Sequence, residues 1–147
     1  MTRSSRLLPV VDVASQRASD AAREVAEARA RLTSQEERLV ELINFRRQYD
    51  LASPTAQAAR SFSFTNRRLF GGQLDEAIRV ASLEIERARA QLEAKIEHWS
   101  QRHREVRAIE QLVERYATEE RRGAERAEQR QADETNLRNF SRRGAED

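Results

Sequence analysis

Apolar and small side chains recur along the first third of the chain in alternating steps of four and three. The series runs Leu7, Val11, Ala14, Ala18, Ala21, Val25, Ala28, Leu32, Gln35, Leu39, Leu42, Arg46 and Tyr49. A period of 3.5 residues is that of a left-handed coiled coil, in which two positions in seven face the partner helix. Pro9 is tolerated in a first helical turn, so a helix is predicted over about 9–51. The stretch "ASPTAQAARSFSFTN" then breaks the period, because the residue before Pro54 is pushed out of helical geometry. A loop is predicted over about 52–63, with Ser63 or Thr65 able to cap the helix that follows.

A second series follows, from Phe70 through Leu74, Ile78, Ala81, Ile85, Ala88, Leu92, Lys95, Trp99, Arg102, Val106, Ile109 and Val113 to Tyr116. It predicts a second helix over about 64–140. Gly71-Gly72 is a weak point, since each glycine costs a helix about 1 kcal/mol relative to alanine. A later start at Gln73 would place Asp75 and Glu76 favourably in the first turn.

Two long heptad segments joined by one short break fold back on each other. The expected fold is all-α: a long two-helix antiparallel coiled-coil hairpin, 1–147 as a single coiled-coil domain. Its paired part is on the order of 65 Å long, at about 1.5 Å per residue. Pairing about residue 58 uses the second helix only to about 116, so the C-terminal helix extends beyond the paired region. That remainder, "TEERRGAERAEQRQADETNLRNFSRRGAED", places Glu120, Gly123 and Arg130 where a seam would want leucine, and holds one apolar pair, Leu137 and Phe140. It is either a solitary charged helix or a tail that orders on a partner.

Composition agrees. Of 147 residues, 38% are hydrophobic, 5% aromatic and 35% charged, with two prolines and four glycines. A many-turned sheet protein does not have this profile; a long helix does. The net charge of +2 comes from interleaved arginine and acid, with Lys95 the one lysine, and this disfavours a nucleic-acid binder, which concentrates its charge. The chain has no cysteine, which removes disulfide and thiol chemistry. No apolar run reaches membrane-spanning length, and Leu7–Val11 is too short for a signal-peptide core, so a cytoplasmic protein is expected.

Candidate chemistry is sparse. His98 and His103 are five residues apart and so do not share a helix face. No HExxH motif occurs, and Gly71-Gly72 lacks the Lys-Ser/Thr of a phosphate loop. No catalytic residue, cofactor or metal is expected. Trp99 and Tyr116 fall on the seam and read as core.

The stretch "RLVELINFRRQYD", residues 38–50, departs from this economy. With Leu42 and Tyr49 on the seam, Ile43 and Phe45 flank it on opposite sides. Leu42, Phe45 and Tyr49 form one stripe, and Phe70, Leu74 and Ala77 form another across the loop. Two readings fit. One is a core thickened at the hairpin tip, with Phe62 and Phe64 folded back onto it. The other is an apolar docking patch for a partner.

Three stretches together resemble the flagellar export protein FliJ family. These are "RLLPVVDVASQRASDAAR", "LINFRRQYD" with "LFGGQLDEAI" after the loop, and "AIEQLVERYATEERRGAERAEQRQADE". The second carries the family's aromatic-spaced helix end and its Phe-x-x-x-Leu-x-x-Ala-Ile run in Phe45, Tyr49, Phe70, Leu74, Ala77 and Ile78. Gly71-Gly72 departs from the family pattern, as does Phe45, where tyrosine is commoner. The resemblance implies a non-enzymatic stalk of the flagellar type III export apparatus. Its termini end would enter the hexameric export ATPase, with contacts somewhere in 6–30 and 110–140. Its loop end would reach the cytoplasmic domain of the membrane export gate protein, and it would bind export chaperones. The gate-binding positions it implies are Leu42, Phe45, Tyr49, Phe70, Leu74 and Ala77, with Arg38 and Ala81 beside them. It places the chain in the cytoplasm, peripherally associated with the inner membrane at the flagellar base. The stalk of a virulence type III secretion system and an unrelated coiled-coil scaffold or dimerisation module are the alternatives.

Overall fold

The computed structural model describes residues 1–51 and 61–146, and side chains over the same ranges except at 61–64. The expected break at Ser53-Pro54 and the expected infolding of Phe62 and Phe64 lie outside the described residues. Two helices account for the fold, α1 (Arg3–Leu51) and α2 (Ser61–Ala145), and among the described residues there is no strand. They pack against each other as an all-α hairpin. The chain divides into two compact units, Ser19–Gln101 and Met1–Ala18 with Arg102–Asp147.

In the unit Ser19–Gln101 the ion pairs set the direction. Glu24 meets Lys95 at 3.3 Å, Glu36 meets Arg89 at 3.8 Å and Arg46 meets Asp75 at 3.0 Å, so α2 numbers fall as α1 numbers rise. The helices are antiparallel. The core is a file of small and branched residues: Ala21, Ala28, Leu74, Ala81, Ile85 and Ala88 are buried. All remaining α1 seam positions of this unit, from Val25 to Tyr49, are half-buried. Lys95 is tolerated on the seam because its stem packs while its ammonium reaches Glu24 at the edge.

Heptad alternation holds on α2 with one correction. Stepping back from Ile78 by four and three gives Leu74, then Gly71 and Arg67, and Gly71 is buried while Phe70 is not. The seam position is therefore Gly71, not Phe70. The glycines lie inside α2 rather than at its start, and the helix already includes Ser63 and Thr65, so neither is its cap.

In the unit Met1–Ala18 with Arg102–Asp147, Ala14 and Val106 are buried, and Leu7, Val11, Ile109, Val113 and Tyr116 are half-buried around them. α1 begins at Arg3, six residues before its proline. Two caps explain the early start. The Ser5 amide donates to Thr2 Oγ1 at 3.3 Å and the Arg6 amide to the Thr2 carbonyl at 3.2 Å, which makes Thr2 the local N-cap. The Ser4 amide and hydroxyl donate to the two carboxylate oxygens of Glu120, at 3.0 and 2.6 Å. Glu120, placed where a seam would want leucine, thus caps α1 from the other helix. Arg3 lies over the Tyr116 ring, 5.8 Å from its centroid. Pairing therefore reaches Glu120, one turn past Tyr116. From Arg121 to Glu146 every residue is exposed, and α2 continues alone to Ala145.

Candidate docking surface

The α1 end of the unit Ser19–Gln101 carries more apolar surface than its seam can use, and the structure sorts it into two layers. Leu74 is 7% exposed and belongs to the core; Leu42, Tyr49 and Ala77 are half-buried. Phe45 and Phe70 are 48% and 39% exposed. Their rings meet edge to face with centroids 6.2 Å apart, and the Tyr49 ring lies 5.1 Å from Phe70, tilted by 58°. Both separations suit favourable aromatic pairs.

Tyr49 ties this cluster to the helix backbone. Its hydroxyl donates to the Arg67 carbonyl at 3.2 Å, and the Arg67 guanidinium stands 5.9 Å above its ring. A half-buried tyrosine thus satisfies its polar end while its ring packs against Phe70. The sequence left open whether Phe45 and Tyr49 face the partner helix or solvent. Tyr49 faces the partner helix, and Phe45 is shared between Phe70 and solvent.

The other flank of the same seam is ionic. Arg46 occupies a seam position, and its guanidinium lies over Gly71; a Cβ built there would come 3.4 Å from Arg46 Nη1 and Nη2. From this place Arg46 donates through Nε to Asp75 Oδ1 at 3.0 Å and through Nη1 to Asp50 Oδ1 at 2.6 Å. The hydrogen bond to Asp75, with the charges of both carboxylates, raises the guanidinium pKa further. Residue 71 has no side chain to compete for the space Arg46 fills, and Phe70, one residue earlier, is left on the flank where Phe45 stands.

The structure brings together Phe45, Tyr49 and Phe70 of the six expected positions in one ring cluster and places Leu74 in the core; Arg46, Gly71, Asp75 and Arg67, which frame the cluster, were not among the expected positions. A signal for Gly71 was present, because strict four-three stepping from Leu74 lands on it. The surface offers two exposed rings and a rim of paired charge, which suits docking of an apolar or mixed protein surface. Among the described residues no group of three His, Cys, Asp or Glu side chains is placed to hold a metal ion, and no helix is long and apolar enough to cross a membrane.

A protein-family model described as "Flagellar FliJ protein" matches residues 3–145. No curated protein matches the chain.

Proposed function

This chain belongs to the flagellar FliJ protein family, a family of flagellar-type export components, and on that premise we propose that it is the non-enzymatic, stalk-like coiled coil of the export apparatus. In this role it binds and promotes the hexameric export ATPase, links it to the cytoplasmic domain of the export gate protein, and binds export chaperones. It works in the cytoplasm, peripherally associated with the inner membrane at the flagellar base. The observation that carries the reading is the family match over residues 3–145.

The paired and unpaired parts of the chain suit such a role physically. An Arg/Glu-striped helix surface makes many weak, screened contacts, none of which dominates, so it can tilt or turn within a ring. We assign the gate contact to Leu42, Phe45, Tyr49, Phe70, Leu74 and Ala77, with Phe45 and Phe70 as the exposed members that a partner would cover. Exposed aromatic side chains on a rigid helix are favourable anchors, since little side-chain entropy is lost on docking.

The test uses the full chain with its cognate ATPase. Hexamer formation and ATP hydrolysis should rise with added chain, and no change at saturation would reject the stalk role. For the gate contact, Phe45→Ala with Phe70→Ala should keep helicity by circular dichroism and lose motility. Collapse of the melting transition would instead assign those rings to the core.

A further inference from the structure

Between Ala21 and Leu42 the α1 seam is apolar at every position but Gln35. By the register of the Glu24–Lys95 and Arg46–Asp75 pairs, Gln35 is level with Ile85, and Ala81 and Ala88 lie a turn to either side. All three α2 residues are buried. Gln35 Oε1 is buried too, and no group among the described residues donates a hydrogen bond to it. A buried acceptor without a donor carries its whole desolvation cost, which is relieved when the helices part and water reaches it.

The α1 sequence at this level is that of a helix start. Thr33-Ser-Gln-Glu36 has the spacing of a capping box, and an apolar run follows at Leu39 and Val40. Glu37 adds a second acid to what would be the first turn. Yet the motif lies deep inside α1 (Arg3–Leu51). The Thr33 hydroxyl, rather than capping, donates back to the Arg29 carbonyl at 3.1 Å.

α2 is weakened close by. Within a turn of Ile85, the Ser82 hydroxyl donates to the Ile78 carbonyl at 2.9 Å. Such back-bonds slightly destabilise a helix and often bend it. Thr33 lies one turn before Glu36 and Ser82 two turns before Arg89, so both back-bonds fall on the flank of the Glu36–Arg89 pair. That contact, at 3.8 Å, is longer than Glu24–Lys95 and Arg46–Asp75 on either side of it, at 3.3 and 3.0 Å. Thr118 and Thr135 make the same kind of bond in the other unit, but without a buried unpaired seam group beside it among the described residues.

We propose that the hairpin has a joint at this level. α1 breaks at Thr33 and parts from α2 around Gln35, while the seam about Ala21 stays closed. In the open form Gln35 is hydrated, and Thr33 and Glu36 cap the segment that runs on to Leu51, which offsets part of the cost of opening. The joint lets the stretch that carries Phe45 tilt on the stretch that carries Ala21. It stands on the seam and the two helices alone and does not depend on what binds the aromatic patch.

The chain has no cysteine, so a single introduced thiol reports local opening in the full chain. Ala81→Cys places it one turn from Ile85, and Ala21→Cys is the control; the parent alanines are 3% and 2% exposed. Labelling with dithiobisnitrobenzoate under native conditions should be about tenfold faster at 81 than at 21. Gln35→Leu should slow it about tenfold at 81 and leave 21 unchanged. Thr33→Ala should slow it about fivefold at 81, and Thr33→Ser should not. Circular dichroism checks that each variant keeps the helicity of the parent chain. Equal rates at 81 and 21, equal slowing at both by Gln35→Leu, or an unchanged rate at 81 with Thr33→Ala would each overturn the proposal.

Discussion

Within the unit Ser19–Gln101 the same two helices pair in two ways, and the contrast shows what the seam is for. Over most of the unit a small seam residue lies level with a large one, by the register of the Glu24–Lys95 and Arg46–Asp75 pairs. Ala21 is level with Trp99, Ala28 with Leu92, and Ala81 with Leu39. The alanines are almost wholly buried, and the large apolar side chains left exposed beside this seam, Val40, Val80, Leu83 and Ile96, are all aliphatic. Near residues 42–49 and 70–77 Gly71 is level with Tyr49, but Phe45 and Phe70 lie off the seam with much of their surface in water. Stability alone explains the alanine seam of the first region. It does not explain two exposed phenylalanines in the second, since folding gains little from rings left half in solvent.

The sharpest way to break the comparison is to make the economical region wasteful. Ala28 is 1% exposed, and Ala28→Leu would set a large residue against Leu92. Overpacking of this kind should lower stability by about 1–3 kcal/mol, read as a lower melting temperature of the helical signal. An unchanged melt would mean that the helices separate there freely and that small-against-large matching does not set their distance.

The next effect is smaller and lies in the other region. Phe45→Ala and Phe70→Ala should each cost less than a buried phenylalanine would. Their double-mutant cycle should give a coupling of about 0.5–1.5 kcal/mol, the value of an aromatic pair. A coupling near zero by denaturant unfolding would show that the edge-to-face contact contributes nothing, leaving Phe45 wholly to a partner.

The helices and their seam were legible because a 3.5-residue period depends only on which residues are apolar. Every α1 position from Leu7 to Tyr49 in the series is buried or half-buried. Legibility failed where a long-range contact overrides a local rule. Pro9 marks a plausible helix start, yet α1 begins at Arg3 because Thr2 and Glu120 supply the caps. Glu120 is more than a hundred residues distant, so no local pattern identifies it. Phe70 was preferred to Gly71 on the seam because hydrophobicity favours phenylalanine, whereas geometry favours the residue that leaves room for Arg46. The two stripes were legible as positions, because helix stripes need only spacing. Its division into seam and exposed rings was not, because that division turns on a one-residue choice of register.

Gly71 offers a smaller effect that probes this choice directly. A Cβ at 71 would sit 3.4 Å from the Arg46 guanidinium, an ordinary contact, and at Gly72 it would meet nothing within 4 Å. Gly72→Ala should therefore stabilise α2 by up to about 1 kcal/mol, and Gly71→Ala by somewhat less. Gly71→Leu should reverse the gain by displacing Arg46 from Asp75. Thermal melts of the three variants give the order. If leucine at 71 is as stabilising as alanine, the Arg46 interlock does not hold the register.

The mildest perturbation is pH, and it acts on the cap rather than the seam. The hydroxyl and amide of Ser4 donate to Glu120, and the Arg3 charge adds to them, so the carboxyl is held below the usual carboxylate range in the folded chain. A group whose folded pKa lies below its unfolded value stabilises the fold above the unfolded pKa, here about 4.3, and loses that contribution as pH falls through the folded value. Acidification should therefore fray the first turn of α1 while the seam built on the buried Ala21, Ala28, Ala81 and Ala88, none of which titrates, keeps its helicity. Amide hydrogen exchange at Ser4 reads this site alone: protection should fall on acidification below the ordinary carboxylate range, beyond the intrinsic pH dependence of exchange, and Glu120→Gln should remove most of that change. If Ser4 protection in the Glu120→Gln chain follows the same pH course as in the parent, the first turn is held by Thr2 alone, and the cross-helix cap has no part in starting α1 before its proline.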